Sequence, residues 1–224
     1  NWYRCKSNEF TFAIIDGPVE FLRGMARYSQ SPEKIGIEPL NRARINRSFA
    51  IATTEVTVRQ MEALFPPTKV NKAYDPMFYI SQDSAASGIP WKLAVLYCQF
   101  RDYAEKTPGS QWCFSYIGED SEPTCVARDY LSRTGYRLPT LSEWEYAARA
   151  GATSSRHFGE SHRHLGQYAW FGVNSELKMH PVGVLQPNDF GLFDTLGNAS
   201  EWLMQYDYST YATGPIGDDI EHME

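Results

Sequence analysis

Apolar residues in this chain gather into short alternating or helical runs, separated by long stretches without any period. Phe10-Thr11-Phe12-Ala13-Ile14-Ile15 is rich in aromatic and β-branched residues and stops at Asp16-Gly17-Pro18, which predicts a strand followed by a turn. Ser48-Phe49-Ala50-Ile51-Ala52 predicts a second strand. Residues 24–40 and 68–89 lack periodicity and read as surface loop. Thr57, with Gln60 three positions later, has the spacing of a capping box and opens a short helix through Met61 and Leu64, stopped by Pro66-Pro67. Trp91, Ala94, Val95, Cys98 and Asp102 share one helical face, so a helix is expected over residues 91–105, with Pro90 pre-setting its first turn and Thr107-Pro108-Gly109 ending it. The best-marked helix starts at Thr140 as N-cap, with Glu143 reaching back to the cap. Trp144, Ala147 and Ala148 form its buried side, and Gly151 is its stop. Tyr136-Arg137-Leu138 before it predicts a strand end, and residues 168–171 and 181–184 are further strand candidates. A few modest helices, scattered short strands and long loops define an α+β domain of low regular content. Loops of that length are held in place by function or by a metal ion.

Composition changes this picture in three ways. A chain of 224 residues buries a real core as one large domain or two small ones, and 14% aromatic content builds that core from planar side chains. A net charge of −6 weighs against a nucleic-acid partner, which needs a concentrated basic face. The densest basic run, Arg42-Ala43-Arg44-Ile45-Asn46-Arg47, reads instead as a solvated strand edge. No run approaches the roughly 18 apolar residues of a membrane-spanning helix. Asn1-Trp2-Tyr3-Arg4-Cys5 is neither a start methionine nor a signal peptide, so the chain reads as a segment of a longer polypeptide. Cys5, Cys98, Cys113 and Cys125 contain no CxxC pair, which leaves the disulfide state and the cell compartment open; Cys98, on an apolar helical face, reads as a buried thiol.

The candidate chemistry is concentrated late in the chain. Asp194 and Glu201 place carboxylates seven residues apart with Gly197 between them, a spacing that wraps one hard cation with side chains at the ends and backbone carbonyls inside. The same residues also read as a Gly-Asn turn flanked by two solvated acids. Glu143 and Glu145, two apart on a helix, face different ways and serve capping and salt links rather than acid–base chemistry. Arg137 and Arg149 are expected in that same polar network. His157, His162 and His164 are spaced closely enough to suggest zinc or iron ligands.

Two long segments carry a family resemblance. Gly135-Tyr136-Arg137-Leu138-Pro139-Thr140-Leu141-Ser142-Glu143-Trp144-Glu145-Tyr146-Ala147-Ala148-Arg149-Ala150-Gly151 is one. Pro187-Asn188-Asp189-Phe190-Gly191-Leu192-Phe193-Asp194-Thr195-Leu196-Gly197-Asn198-Ala199-Ser200-Glu201-Trp202 is the other. With Thr54-Glu55-Val56-Thr57 and the Pro90-Trp91, Ala94, Tyr97-Cys98 helix upstream, they resemble the formylglycine-generating, or sulfatase-modifying-factor, family over residues 10–211. Asn1-Trp2-Tyr3 and Ile15-Asp16-Gly17-Pro18-Val19-Glu20-Phe21 resemble bacterial members, which often follow a protein kinase or a repeat array.

The resemblance implies a C-type-lectin-like fold and a single domain over residues 1–224 that lacks its C-terminal segment. In the family that segment completes the central sheet, so an unpaired, aggregation-prone edge strand is expected. It implies a calcium loop with a side chain at Asp194, carbonyls at Gly197 and Ala199, and a carboxylate at Glu201. Ser200 departs from the usual bulky apolar residue without removing a ligand. The family's other calcium site needs a longer segment than residues 168–183 offer. The histidine-rich stretch falls where relatives carry an exposed variable loop, which weighs against a metal site there. Oxidases of the family use O₂ and a copper ion held by two cysteines, a soft pair suited to Cu(I). Those cysteines lie between "R-G-G-S" and "G-F-R" elements that this sequence does not contain, and Cys98, Cys113 and Cys125 match scaffold positions. No catalytic residue is therefore assigned. The function implied is a recognition module for a protein or peptide ligand, or else part of a copper-dependent oxidase that converts a sulfatase cysteine to formylglycine.

Overall fold

Short antiparallel pairings carry the N-terminal half of the computed structural model, which describes residues 2–4, 10–24, 41–65, 76–116 and 123–204. Strands β1 (Trp2–Arg4), β2 (Thr11–Ile15), β3 (Val19–Arg23), β4 (Asn41–Ile45) and β5 (Phe49–Ala52) precede a later hairpin of β6 (Phe114–Tyr116) and β7 (Pro123–Val126). Among the described residues the sheet order is β1-β2-β5, with β3-β4 and β6-β7 as separate ribbons. Ala13 lies opposite Ile51, and Ile15 opposite Phe49. Ala13 and Ile15 are buried while Ile14 between them is exposed, the period-2 burial of a strand with one packed face.

The basic run is a strand edge for the same reason. In β4, Ala43 and Ile45 are fully buried, while Arg42 and Arg44 point outward, each 3.6 Å from Glu20. Strand β3 is not apparent in the sequence because its polarity is inverted: Leu22 is exposed, and Arg23 is buried against Ser142.

Helix α1 (Val58–Leu64) has the expected capping box, with Gln60 N–H donating to Thr57 Oγ1 at 3.2 Å and Thr57 N–H to Gln60 Oε1 at 2.9 Å. It ends on a Phe65 N–H bond to the Met61 carbonyl; Pro66-Pro67 lie outside the described residues, as do residues 25–40 and 68–75 of the expected loops. Helix α2 (Trp91–Ala104) buries a wider face than expected, adding Tyr97, Gln99 and Arg101 to Val95, Cys98 and Asp102. Burial of Arg101 is offset by a 2.8 Å pair with Glu105 and by the Phe10 ring, 4.9 Å away. The chain leaves α2 before Thr107, because Lys106 adopts φ 58° and Thr107 N–H returns to the Asp102 carbonyl. Helix α3 (Leu141–Arg149) is capped by Thr140 and Glu143 and stops where Ala150 and then Gly151 turn left-handed, at φ 51° and 78°. A short helix α4 (Leu165–Tyr168) follows.

Three strand expectations fail. Residues 136–138 form no strand, because Tyr136 N–H goes to the Asp102 carboxylate at 3.0 Å instead of to a neighbouring strand. Residues 168–171 close α4 and enter a turn, and residues 181–184 make only an isolated bridge from Pro181 to Ser84. The core is aromatic as composition implies: Phe10, Met61, Phe65 and Tyr97 form one cluster, and Val95, Cys98, Cys113, Phe114 and Tyr130 form another. A third, of Ala13, Ile15, Ala147 and Leu192, joins β2 to α3 and to the late loop that carries the candidate site. Among the described residues, no helix is long and apolar enough to cross a membrane.

Candidate functional site

The site is built on the start of α3. Glu143, 1% exposed, receives Arg137 through two bonds of 2.6 and 2.7 Å, Arg47 at 2.8 Å, and the Thr140 N–H at 2.9 Å. Burial opposes its charge most strongly. The combined bonds and charges of Arg137 and Arg47 and the Thr140 N–H overcome that and hold the carboxyl below its ordinary 4.5. Glu145 faces elsewhere, taking Gly24 N–H at 2.8 Å and pairing with Arg149 at 2.6 Å. Arg149 also binds the Leu22 and Gly24 carbonyls, so it belongs to the end of β3 and not to the Arg137 network expected from sequence. The next α3 residue after Glu143, Trp144, donates its indole N–H to Glu201 Oε2 at 3.0 Å.

The loop leading to Glu201 is pinned first by Asn188. Its amide donates to the Ala147 and Ala148 carbonyls at the end of α3, and its Oδ1 accepts the Phe190 and Leu192 N–H groups. Asp194 follows at φ 59°, 2% exposed. Its Oδ2 accepts Gly183 N–H at 2.8 Å, while its buried Oδ1 has no hydrogen-bond partner. Gly197 has to be glycine, because a Cβ there would lie 2.1 Å from the Trp170 carbonyl oxygen. Asn198, at φ 61°, donates its N–H to that same oxygen at 2.8 Å.

Glu55, from the turn before α1, meets this loop with both carboxylate oxygens: Oε1 accepts Ala199 N–H at 2.8 Å and Oε2 accepts Asn198 Nδ2 at 2.7 Å. Three carboxyls thus converge. Burial, then the charges of Glu201 and Asp194, raise Glu55 to about 9 despite its two bonds. Burial raises Asp194. Glu201 is exposed to solvent, yet the protein packed around it, with Asp194 adding and the Trp144 bond opposing, raises it to about 7. Groups that destabilise one another's charge in this way favour a bound cation.

The structure therefore brings Asp194 and Glu201 within electrostatic reach of each other, on either side of the Gly197–Ala199 turn. Among the described residues, no three His, Cys, Asp or Glu side chains can hold a metal ion between them. A cation here depends on carbonyl oxygens as well as on the two carboxylates. The unpartnered buried Oδ1 of Asp194 fits that donor set, in which calcium takes oxygen ligands of both kinds. Two cavities flank the loop. One of about 590 Å³ reaches from Phe49 and Glu55 to Trp144, and one of about 380 Å³ lies against Ile89 and Met179. Residues 199–202 line both, and Trp202 is fastened by a 2.6 Å bond from its indole to the Ile89 carbonyl.

The histidines do not form a cluster. His157 packs edge-on against Phe158 and Tyr168, at 5.0 and 4.7 Å, whereas His162 lies beside Arg156 at 3.5 Å. Cys98 and Cys113 are buried free thiols; Cys5 and the side chain of Cys125 lie outside the described residues. Burial, reinforced by Asp102 and Cys113, pushes Cys98 far up, and burial pushes Cys113 up to about 11. Sequence reasoning passed over Glu55 and Asn188 as functional residues. The available signal for Glu55 was an acid set directly against a capping box and beside apolar Val56.

A family model described as "Sulfatase-modifying factor enzyme 1-like domain" matches residues 5–219. The formylglycine-generating enzyme of Mycobacterium tuberculosis is 29% identical over 213 residues, covering 75% of this chain and 67% of that protein. The inactive C-alpha-formylglycine-generating enzyme 2 of Bos taurus is 37% identical over 86 residues, covering 34% of this chain and 29% of that protein. Among solved structures, variable protein 1 of Treponema denticola superposes with a TM-score of 0.71 at 24% identity, covering 95% of this chain and 79% of that one. The chain thus spans about two thirds of the first relative and under a third of the second.

Proposed function

Because this chain belongs to the sulfatase-modifying factor enzyme 1-like family, we propose that it is a calcium-bearing, non-catalytic recognition domain whose ligand is a protein or peptide segment. The carrying observation is the buried Asp194 Oδ1 without a partner, in a loop whose far end, Glu201, walls both cavities. Asp194 and Glu201 would hold Ca²⁺ together with the carbonyls of Gly197 and Ala199. When bound, the ion supplies the positive charge that lets the two carboxylates ionise side by side. The chain's own residues do the rest: Asn188 ties the loop to α3, Trp144 orients Glu201, and Trp202 closes onto Ile89. A wall fixed in advance lowers the ordering cost of binding an extended ligand. The aromatic and apolar lining, with Trp144, Trp202, Phe49 and Ile51, suits such a ligand. The match to a protein kinase of Chlamydia caviae supports a place beside another module in a longer chain.

The second reading, part of a copper-dependent formylglycine-generating oxidase, draws on the name of the M. tuberculosis relative. Cys98 and Cys113 lend it no support, because burial keeps both as thiols rather than as the thiolates that hold Cu(I). The test is calcium titration by calorimetry on chelator-stripped protein. Saturable one-to-one binding is expected, with none in the Asp194→Ala/Glu201→Ala double variant. A folded wild-type protein that takes up no calcium ends this reading of the loop.

A further inference from the structure

Glu55 is outside the proposed ligand set, yet it is the group to which the ligand-bearing turn is tied. Its two oxygens take consecutive donors of that turn, the Asn198 side chain at 2.7 Å and the Ala199 N–H at 2.8 Å. Asn198 then grips both polar groups of one backbone residue: its Oδ1 accepts His180 N–H at 2.9 Å, and its Nδ2 donates to the His180 carbonyl at 3.2 Å. Glu55, the 180 strip and the turn are locked together across 143 residues of sequence.

That lock acts on the peptide planes that matter for a cation. Asn198 stands at φ 61°, a conformation that a residue other than glycine keeps only when its surroundings impose it. In a trans peptide the N–H and C=O point opposite ways. The Asn198 N–H bond to the Trp170 carbonyl therefore turns the Gly197 carbonyl away from Trp170. The Ala199 N–H bond to Glu55 fixes the following plane, which carries the Asn198 carbonyl, and so sets the position of Ala199 from which its own carbonyl leaves.

We propose that Glu55 is the positioning residue of the cation loop, holding the 197–199 peptides so that the Gly197 and Ala199 carbonyls face the ion. This rests on the calcium reading given above. It assigns Glu55 to the shell of groups that orient metal ligands, where a substitution typically costs roughly 10- to 100-fold in metal affinity.

The test compares wild type, Glu55→Gln and the control Arg59→Ala, whose exposed side chain pairs with Asp83. Glutamine keeps the volume but sets an NH₂ group against one of the two donors. Two quantities are read: calcium affinity by calorimetry, and the melting temperature of the calcium-free protein. The expected result is a roughly 10- to 100-fold weaker affinity in Glu55→Gln, with the calcium-free melting temperature close to wild type and Arg59→Ala unchanged in both. Wild-type-like affinity in Glu55→Gln overturns the positioning role while leaving the calcium loop intact. Weaker affinity that merely tracks a lower calcium-free melting temperature also overturns it, by making Glu55 a structural residue. Absence of binding in wild type removes the loop itself, and this role with it. If Glu55→Gln does not fold, Asn198→Gly carries the test: glycine accepts φ 61° without strain but drops the side chain that Glu55 holds. Unaltered affinity in that variant overturns the proposal.

Discussion

Glu143 shows how one residue can anchor a helix, a strand end and a site at once. Its carboxylate accepts two arginines and a backbone N–H while 1% exposed, so removing its charge leaves Arg137 and Arg47 without their shared partner. Glu143→Gln is expected to lower stability by about 3–5 kcal/mol in urea unfolding, the cost of breaking a buried ion pair from one side. The pH dependence follows from the direction of the shift. The folded carboxyl lies below its ordinary 4.5, so the unfolded chain takes up its proton first as pH falls. Its stabilisation is therefore complete above about pH 4.5 and is lost as pH drops through the folded value. Urea midpoints between pH 6 and 3 should fall more steeply for wild type than for Glu143→Gln. Gly197 is the opposite case, a residue defined by what it lacks. Gly197→Ala drives a Cβ to 2.1 Å from a backbone oxygen, so about 1–3 kcal/mol of destabilisation is expected, together with loss of calcium binding in the titration.

At the scale of elements, the two capping boxes make a matched pair. Thr140→Ala and Thr57→Ala each remove one N-cap acceptor, and each should cost about 0.5–2 kcal/mol. Thr140 is expected at the upper end, because it is the more deeply buried and its box shares Glu143. Thermal melts of the two single variants give the order directly. These boxes were legible in the sequence because a cap is a contact between residues three apart. Strand β2 was legible from its run of aromatic and β-branched residues ended by Asp16-Gly17-Pro18. Strand β3 was not read as a strand, because Arg23 is buried where Leu22 is exposed, whereas β4 was legible as a solvated strand edge from the arginines that flank Ala43. Residues 136–138 misled because their hydrogen bonds go to a side chain, Asp102, which no local pattern signals. The same distinction divides the candidate site. Asp194, Gly197, Ala199 and Glu201 are proposed from one contiguous motif, whereas Glu55 acquires its place beside them from Asn198, 143 residues later.

On the scale of the whole molecule, the core cluster of Ala13, Ile15, Ala147 and Leu192 brings β2, α3 and the late loop together, so the loop's geometry is a product of the fold rather than of its own sequence. The buried thiols belong to another core cluster. Cys98 and Cys113 should resist iodoacetamide at pH 7 in the native state and react once urea unfolds the chain, as mass spectrometry would record. Rapid native labelling of either would reopen the copper reading. The two indoles at the loop carry a practical consequence. Trp144 ends its N–H on Glu201, and Trp202 ends its own on the Ile89 carbonyl beside the second cavity. Any event that changes the charge at Glu201 or the seat of the loop also changes the surroundings of two chromophores. The chain thus carries its own optical gauge: calcium uptake by the proposed loop is expected to shift the tryptophan emission, without a dye or a label.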